Sequence, residues 1–202
     1  MRSGVVVAGG RSTRFGAPDK AVADLGGTPM IRRVADRIAP AVEELVVNCR
    51  PAQTAAIQNA MAGYSLPVSY AEDDVPDRGP VAGIRNGLAA AAGGYAFVVA
   101  CDMPFVDPAL ASYLFECARS REAAVPRLDG WLQPTQAVYH VAAARRACTA
   151  ALERGGPAVR DVLDDLAYVV VGESELADVT SPETFENVNT PEEFDAVRNR
   201  VE

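Results

Sequence analysis

Apolar positions along this chain recur with two periods, and the two alternate from the first residues onward. Val5-Val6-Val7, Leu45-Val46-Val47, Pro67 to Ala71 and Tyr95 to Ala100 are short runs rich in branched or aromatic side chains. Runs of that length without a polar break read as strands buried on both faces. Between them the spacing changes to that of helices: Met30, Val34 and Ile38, then a segment opened by Pro51 and reaching about Ala62, then Val81, Ile84 and Leu88. Thr28 is expected to cap the first of these helices, with Pro29 at its first position. Leu110, Leu114 and Ala118 carry a further apolar helix face, opened by Asp107 and Pro108. Strands alternating with helices predict an α/β chain, a Rossmann-like doubly wound fold whose mostly parallel sheet has helices on both faces.

The pattern loosens in the C-terminal half. Ala124 to Pro126 and Pro134 to Tyr139 flank the turn Leu128-Asp129-Gly130, which predicts a small antiparallel addition. A helix near Ala142 to Leu152, a break at Gly155-Gly156-Pro157, a short helix near Val159 to Leu166 and a late strand from Tyr168 to Val171 follow. Thr190 is placed to cap a closing helix through Phe194, Val197 and Val201. No repeat, linker or low-complexity stretch divides the chain, so its 202 residues are expected to form one domain.

Composition narrows the function. The formal net charge is −8, which argues against a nucleic-acid surface. No stretch approaches the ~20 apolar residues of a membrane span and no signal-peptide pattern opens the chain, so a cytoplasmic protein is expected. Cys49, Cys101, Cys117 and Cys148 lack Cys-x-x-Cys spacing and read as buried thiols in a reducing compartment. The single histidine, His140, cannot complete a zinc set; a structural or surface role is expected of it, with general base as the alternative.

The stretch with chemistry in it is Ser3 to Lys20, SGVVVAGGRSTRFGAPDK. A buried run stops at Gly9-Gly10, and a polar loop carrying Arg11, Arg14 and Lys20 follows. Glycines let backbone N–H groups approach an anion, and the cations can meet phosphate oxygens. Two familiar phosphate loops are excluded. Lys20 stands four residues after Gly16 and is followed by Ala21, which is not the Walker pattern, and Gly9, Gly10 and Gly16 do not fit Gly-x-Gly-x-x-Gly. Of the 19 Lys and Arg side chains, Lys20 is the only lysine. A compact movable point charge is what lysine offers and arginine does not. Two polar residues close apolar strands, where open α/β sheets bind ligands: Asn48 and Asp102. Asp102, in Cys101-Asp102-Met103-Pro104, is placed to bind a hard cation, because magnesium takes one or two carboxylates plus substrate phosphates. Most of the acidic stretch Glu72-Asp73-Asp74 is expected to be exposed loop.

Ala-Gly-Gly-x-x-x-Arg-Phe-Gly-x-x-x-Lys resembles the signature loop of nucleotidyltransferases that join an NTP to a phosphorylated acceptor. With Val46-Val47-Asn48, Gly79-Pro80-Val81-Ala82-Gly83, Cys101-Asp102-Met103-Pro104, Trp131-Leu132-Gln133-Pro134-Thr135 and Asn187-Val188-Asn189-Thr190-Pro191 in order, the chain resembles the molybdenum cofactor guanylyltransferase (MobA) family from end to end. The resemblance implies transfer of GMP from GTP to the phosphate of molybdopterin, with release of pyrophosphate and Mg2+ as cofactor. It implies a single nucleotidyltransferase domain over 1–202, with a nucleotide-binding half to about residue 105 and an acceptor-binding half beyond it. Val7, Ala8, Gly9 and Gly10 would contact nucleotide through backbone, Arg14 and Lys20 would hold phosphate, and Asp102 would bind nucleotide and metal. Asn48 and Asp73 would place the guanosine, with Asp74 competing for the second role, and Asn187 and Asn189 would line the acceptor side. Molybdenum-insertion proteins and molybdoenzyme chaperones are the implied partners. Cytidylyl transfer to molybdopterin, guanylyl transfer to a cobalamin precursor and a non-catalytic GTP-binding or cofactor-delivery protein are the alternatives.

Overall fold

In a computed structural model of the protein, residues 1–10, 19–74, 78–156 and 158–201 are described. The first half is a run of strand–helix units. β1 (Arg2–Val7) leads to α1 (Met30–Ile38), β2 (Glu44–Cys49), α2 (Thr54–Ala60), β3 (Val68–Glu72), α3 (Pro80–Ala90) and β4 (Tyr95–Ala100). β1 lies parallel between β2 and β4, and β2 pairs in parallel with β3. The chain therefore winds outward from β1 to β3 and returns across β1 to β4. That reversal opens a crevice at the carboxyl ends of β1 and β4, where sheets of this kind bind ligands.

The second half contributes α4 (Pro108–Cys117), β5 (Ala123–Leu128), β6 (Trp131–Leu132), β7 (Gln136–His140), α5 (Val141–Glu153), β8 (Tyr168–Val171), α6 (Glu173–Ala177) and α7 (Pro191–Val201). β7 runs antiparallel beside β4, β5 antiparallel beside β7, and β8 parallel to β5. The antiparallel strand is thus inserted in the main sheet rather than appended to it. The sheet order is β3-β2-β1-β4-β7-β5, with β8 on β5 and the short β6 in a hairpin with the end of β5.

Period-two alternation explains why the central strands read as unbroken apolar runs. Val6, Val47, Phe97 and Val99 face one core with Ile31, Val34 and Ile38 of α1, Ile57 of α2 and Leu110 and Leu114 of α4. Val5, Val46, Ala96 and Val98 face the other, with Ile84 and Leu88 of α3 and Ala144 and Cys148 of α5. Both faces are covered, so neither needs polar residues. A third, smaller cluster joins Leu25 and Met30 to Val188, Phe194 and Val197, and thereby ties α7 back to the base of α1.

Two of the expected caps form. The Asp107 carboxylate accepts from the backbone N–H of Ala109 at 2.8 Å. Thr190 Oγ1 accepts from Glu193 N at 3.2 Å while the Glu193 carboxylate accepts from Thr190 N at 3.1 Å, a reciprocal box at the start of α7. Thr28 does not cap α1. Its carbonyl accepts from Leu25 N in a tight turn that also uses the Asp24 carboxylate, and α1 starts at Met30 without a side-chain cap. His140 is structural: its Nδ1 accepts from Ala143 N at the start of α5, and its ring meets Tyr95 edge-on. It pairs with the first residue of β4, at the edge of the sheet opposite the carboxyl ends.

Candidate active site

A cavity of about 520 Å³ opens at the carboxyl ends of β1, β2 and β4. Its floor is Val7, Ala8, Gly9 and Gly10, the end of β1 and the turn that follows. One wall is Asn48 and Asp73 with the first turn of α3, and the opposite wall is Lys20, Cys101, Asp102, Thr135 and Asn189.

Lys20 sits on a 3₁₀ turn, Lys20–Val22, and is 7% exposed. Its Nζ donates to Asp102 Oδ2 at 2.7 Å, to the carbonyl of Val188 at 2.8 Å and to Asn189 Oδ1 at 3.4 Å. All three ammonium protons therefore have acceptors. Asp102 lies in the turn just past the end of β4, and its carbonyl accepts from Val188 N at 2.9 Å. Its second carboxylate oxygen, Oδ1, is buried and has no hydrogen-bond partner among the described residues. Such an oxygen beside a cavity fits a hard cation brought in with a triphosphate. No cluster of three or more His, Cys, Asp or Glu capable of holding a metal by itself is found among the described residues. Burial, reinforced by the Asp102 carboxylate, pushes the neighbouring Cys101 thiol up, so it stays protonated and neutral beside the pair.

The opposite wall is a fixed polar set. Asn48, fully buried, donates through Nδ2 to the carbonyl of Ala71 at 3.0 Å and to Asp73 Oδ1 at 2.8 Å. Asn48 Oδ1 is buried without a partner among the described residues. The set is packed against bare backbone. A Cβ on Gly9 would stand 2.5 Å from Asp73 Oδ2, and one on Gly83 would stand 2.4 Å from Asn48 Oδ1. These two glycines are what let the end of β1 and the first turn of α3 close on Asn48 and Asp73 from either side.

Of the residues singled out in the sequence, Val7, Ala8, Gly9, Gly10, Lys20, Asn48, Asp73, Asp102 and Asn189 line this one cavity. Asp73, not Asp74, is the carboxylate on the wall; Asp74 is exposed and outside the lining. Asn187 is exposed and also outside it, with Nδ2 donating to the carbonyl of Phe185 at 3.1 Å. Arg14 and Arg11 lie outside the described residues. Thr135 and Gly79, Pro80, Ala82 and Gly83 also line the cavity, and in the sequence they stand out only as parts of family motifs.

A model of the MobA-like NTP transferase domain matches residues 4–180. The chain belongs to that family. A Natronomonas pharaonis protein named "probable molybdenum cofactor guanylyltransferase" is 45% identical over 200 residues, covering 99% of this chain and 98% of the relative. A Haloferax mediterranei protein of the same name is 38% identical, over 98% of this chain and 94% of its own length. Among solved structures, molybdopterin-guanine dinucleotide biosynthesis protein A from Archaeoglobus fulgidus superposes with a TM-score of 0.79 at 24% identity, over 98% of this chain and 97% of the other. The 2-C-methyl-D-erythritol 4-phosphate cytidylyltransferase of Thermus thermophilus superposes with a TM-score of 0.71 at 18% identity, over 100% and 99% of the two chains. At these identities the structural matches speak for the fold, and that fold is shared across NTP transferases of different base and acceptor. No helix among the described residues is long and apolar enough to cross a membrane.

For a family member whose wall is built so tightly, Gly83→Ala is an informative change. Replacing glycine inside a helix would by itself favour folding by about 0.5–1 kcal/mol. Overpacking a site that cannot yield costs about 1–3 kcal/mol, and here the new methyl meets a fully buried amide. The clash is expected to win. Gly83→Ala should lower stability in urea melts and weaken nucleotide binding about tenfold or more in titrations, by pushing Asn48 away from Asp73.

Proposed function

We propose that this protein transfers GMP from GTP to the phosphate of molybdopterin, forming the guanine dinucleotide cofactor and pyrophosphate. The observation that carries the reading is the meeting of Lys20 and Asp102 in one buried cavity with the backbone of Ala8 to Gly10. The 45% identity to a relative named for this activity supports the choice of substrate pair. The nucleotide would use the elements up to about residue 105 and the acceptor those beyond, so that the two halves meet across Lys20, Asp102 and Asn189.

The chemistry asks for charge management more than proton transfer. An oxygen of the acceptor phosphate attacks the α-phosphorus of GTP, the bond from that phosphorus to the bridging oxygen of the β-phosphate breaks, and pyrophosphate leaves. The attacking oxygen is already anionic at neutral pH, so no general base is required of the chain. Lys20 would orient the phosphates and offset charge that grows on the leaving group, the backbone N–H groups after β1 would do the same from below, and Arg14 is assigned to the same task by its place in the loop. Asp102 would hold Mg2+ through Oδ1, and that ion, when bound, supplies further neutralisation of the triphosphate. Asp73 would accept from the N1–H and N2–H of guanine, and Asn48 would hold that carboxylate in place. Cytosine offers a carboxylate only its amino group, and this difference favours guanine at such a wall.

The test is pyrophosphate release by the purified protein with magnesium and molybdopterin, offering GTP, CTP, ATP and UTP separately. Release with GTP alone is expected. Preference for CTP would move the protein to cytidylyl transfer, and GTP binding without release on any nucleotide would overturn the transferase reading for this acceptor.

A further inference from the structure

Outside the cavity lining, three side chains form one cluster that ties together the end of β1, the turn after β2 and the turn that carries Lys20. Gln53, 4% exposed on the short 3₁₀ turn after β2, uses both ends of its amide. Its Oε1 accepts from the backbone N–H of Arg50 at 2.9 Å, and its Nε2 donates to the carbonyl of Ala8 at 3.1 Å and to Asp19 Oδ2 at 2.5 Å. Arg50 Nη2 donates to the same Asp19 oxygen at 3.1 Å, and reaches the carbonyl of Gly10 at 3.5 Å. The other oxygen of Asp19 accepts from Ala21 N at 3.1 Å and so caps the turn that carries Lys20.

We propose that Gln53 and Arg50 are positioning residues for the transfer reaction, clamping Asp19 to the end of β1 so that Lys20 is aimed at the phosphates. Lys20 lies between two fixed points. Asp19 is gripped by the clamp, and Ala21 is 1% exposed in the main core, so the turn has little freedom to swing the lysine elsewhere. Through Ala8 and Gly10 the same clamp sets the backbone that forms the cavity floor. The pairing also settles a charge problem. A carboxylate adjacent to a phosphate-handling lysine would repel a triphosphate, and Arg50 with Gln53 turns it aside and neutralises it. The proposal rests on the phosphate role assigned above to Lys20, but not on which base or acceptor is used, since none of the cluster's hydrogen bonds reaches Asn48, Asp73, Asp102 or Asn189.

A cycle of variants tests it. Gln53→Glu has no donor for Ala8 and sets two carboxylates against each other. Asp19→Asn keeps one acceptor where Asp19 uses two, so its amide donor opposes either the donors of Gln53 and Arg50 or the N–H of Ala21, and the clamp or the cap is lost. Each is expected to lower kcat about 10- to 100-fold, the scale of a misplaced catalytic group, with KM for the acceptor unchanged. The double variant restores one donor, one acceptor and the original charge, because the amide placed at position 19 would donate to the carboxylate placed at position 53. It is expected to recover turnover about fivefold or more over the worse single variant, a coupling that independent sites do not show. All are compared with the NTP that wild type uses, and nucleotide titration without acceptor reads the same cluster if release with molybdopterin fails. Wild-type kinetics in Gln53→Glu, or losses in the single variants that simply add in the double, would overturn the clamp. Should Gln53→Glu fail to fold, Asp19→Asn and Arg50→Met, which removes the donor to Asp19 and Gly10, decide it by the same loss of kcat.

Discussion

Lys20→Arg is expected to lose about as much turnover as Lys20→Ala, on the order of 10²–10³-fold, although it keeps the charge. The ammonium of Lys20 directs its three protons to three acceptors that lie around one point: Asp102 Oδ2, the carbonyl of Val188 and Asn189 Oδ1. A guanidinium is flat, larger and forked, and cannot present three donors around a point. The side chain is only 9% exposed, so the direction left for the extra bulk is the cavity itself, the space the phosphates are proposed to enter. The two variants should differ in stability instead. Alanine leaves Asp102 in a largely buried place without its partner, a change that costs up to about 3–5 kcal/mol where burial is complete and less here, where the carboxylate is 17% exposed. Stopped assays of pyrophosphate release and thermal melts on both variants check this. A Lys20→Arg enzyme running near the wild-type rate would show that a positive charge suffices and that the geometry around Nζ is incidental.

The strands and most of the site were legible because their signals are local. Val5-Val6-Val7 and Phe97-Val98-Val99 announce strands buried on both faces by having no polar alternate, and the structure covers both faces. Asn48 and Asp102 could be picked out because a polar residue closing an apolar strand points to the carboxyl edge, and both reach the cavity. Caps were legible where the whole motif is contiguous, as at Thr190 and Glu193, and failed at Thr28, where a competing turn through Asp24 took the backbone groups. What could not be read was set by long-range pairing. Nothing in Gln136 to His140 says that this strand lies against β4 rather than at an edge; that follows from register between segments far apart in the chain. The Gln53–Asp19 contact spans 34 positions and the Lys20–Val188 contact 168, so neither leaves a local trace. Asn187 and Asn189 illustrate the limit within a single motif. Asn187 is exposed and bonds back to the carbonyl of Phe185, and only Asn189 reaches Lys20.

The Lys20–Val188 contact also gives the C-terminal segment a reason to be where it is. Val188 is fully buried, its N–H donates to the carbonyl of Asp102, and its own carbonyl accepts from Lys20. The segment that carries Asn189 is thereby bonded to both members of the central ion pair. Motion of Lys20 toward a phosphate would loosen one of those ties and leave the other. On the function proposed above, in which this segment serves the acceptor, these hydrogen bonds would couple acceptor binding to the position of Lys20.

Asp102→Asn should separate the two jobs given to this carboxylate. The amide has the same shape, can still accept from Lys20, and leaves the backbone bond to Val188 untouched, so the fold should survive. What it removes is the negative charge and the buried, unpartnered Oδ1 at the cavity. A neutral amide is a poor ligand for a hard cation, which selects charged oxygen. Turnover should fall about 10²–10³-fold, and the rate should keep rising with magnesium at concentrations that saturate wild type. Nucleotide binding in a chelator should change far less, since Lys20 and the backbone after β1 remain. In wild type the same chelator should abolish turnover and leave binding measurable. If Asp102→Asn instead saturates with magnesium as wild type does and is merely slower, Asp102 serves only to orient Lys20, and the site for the metal has to be sought elsewhere along the cavity.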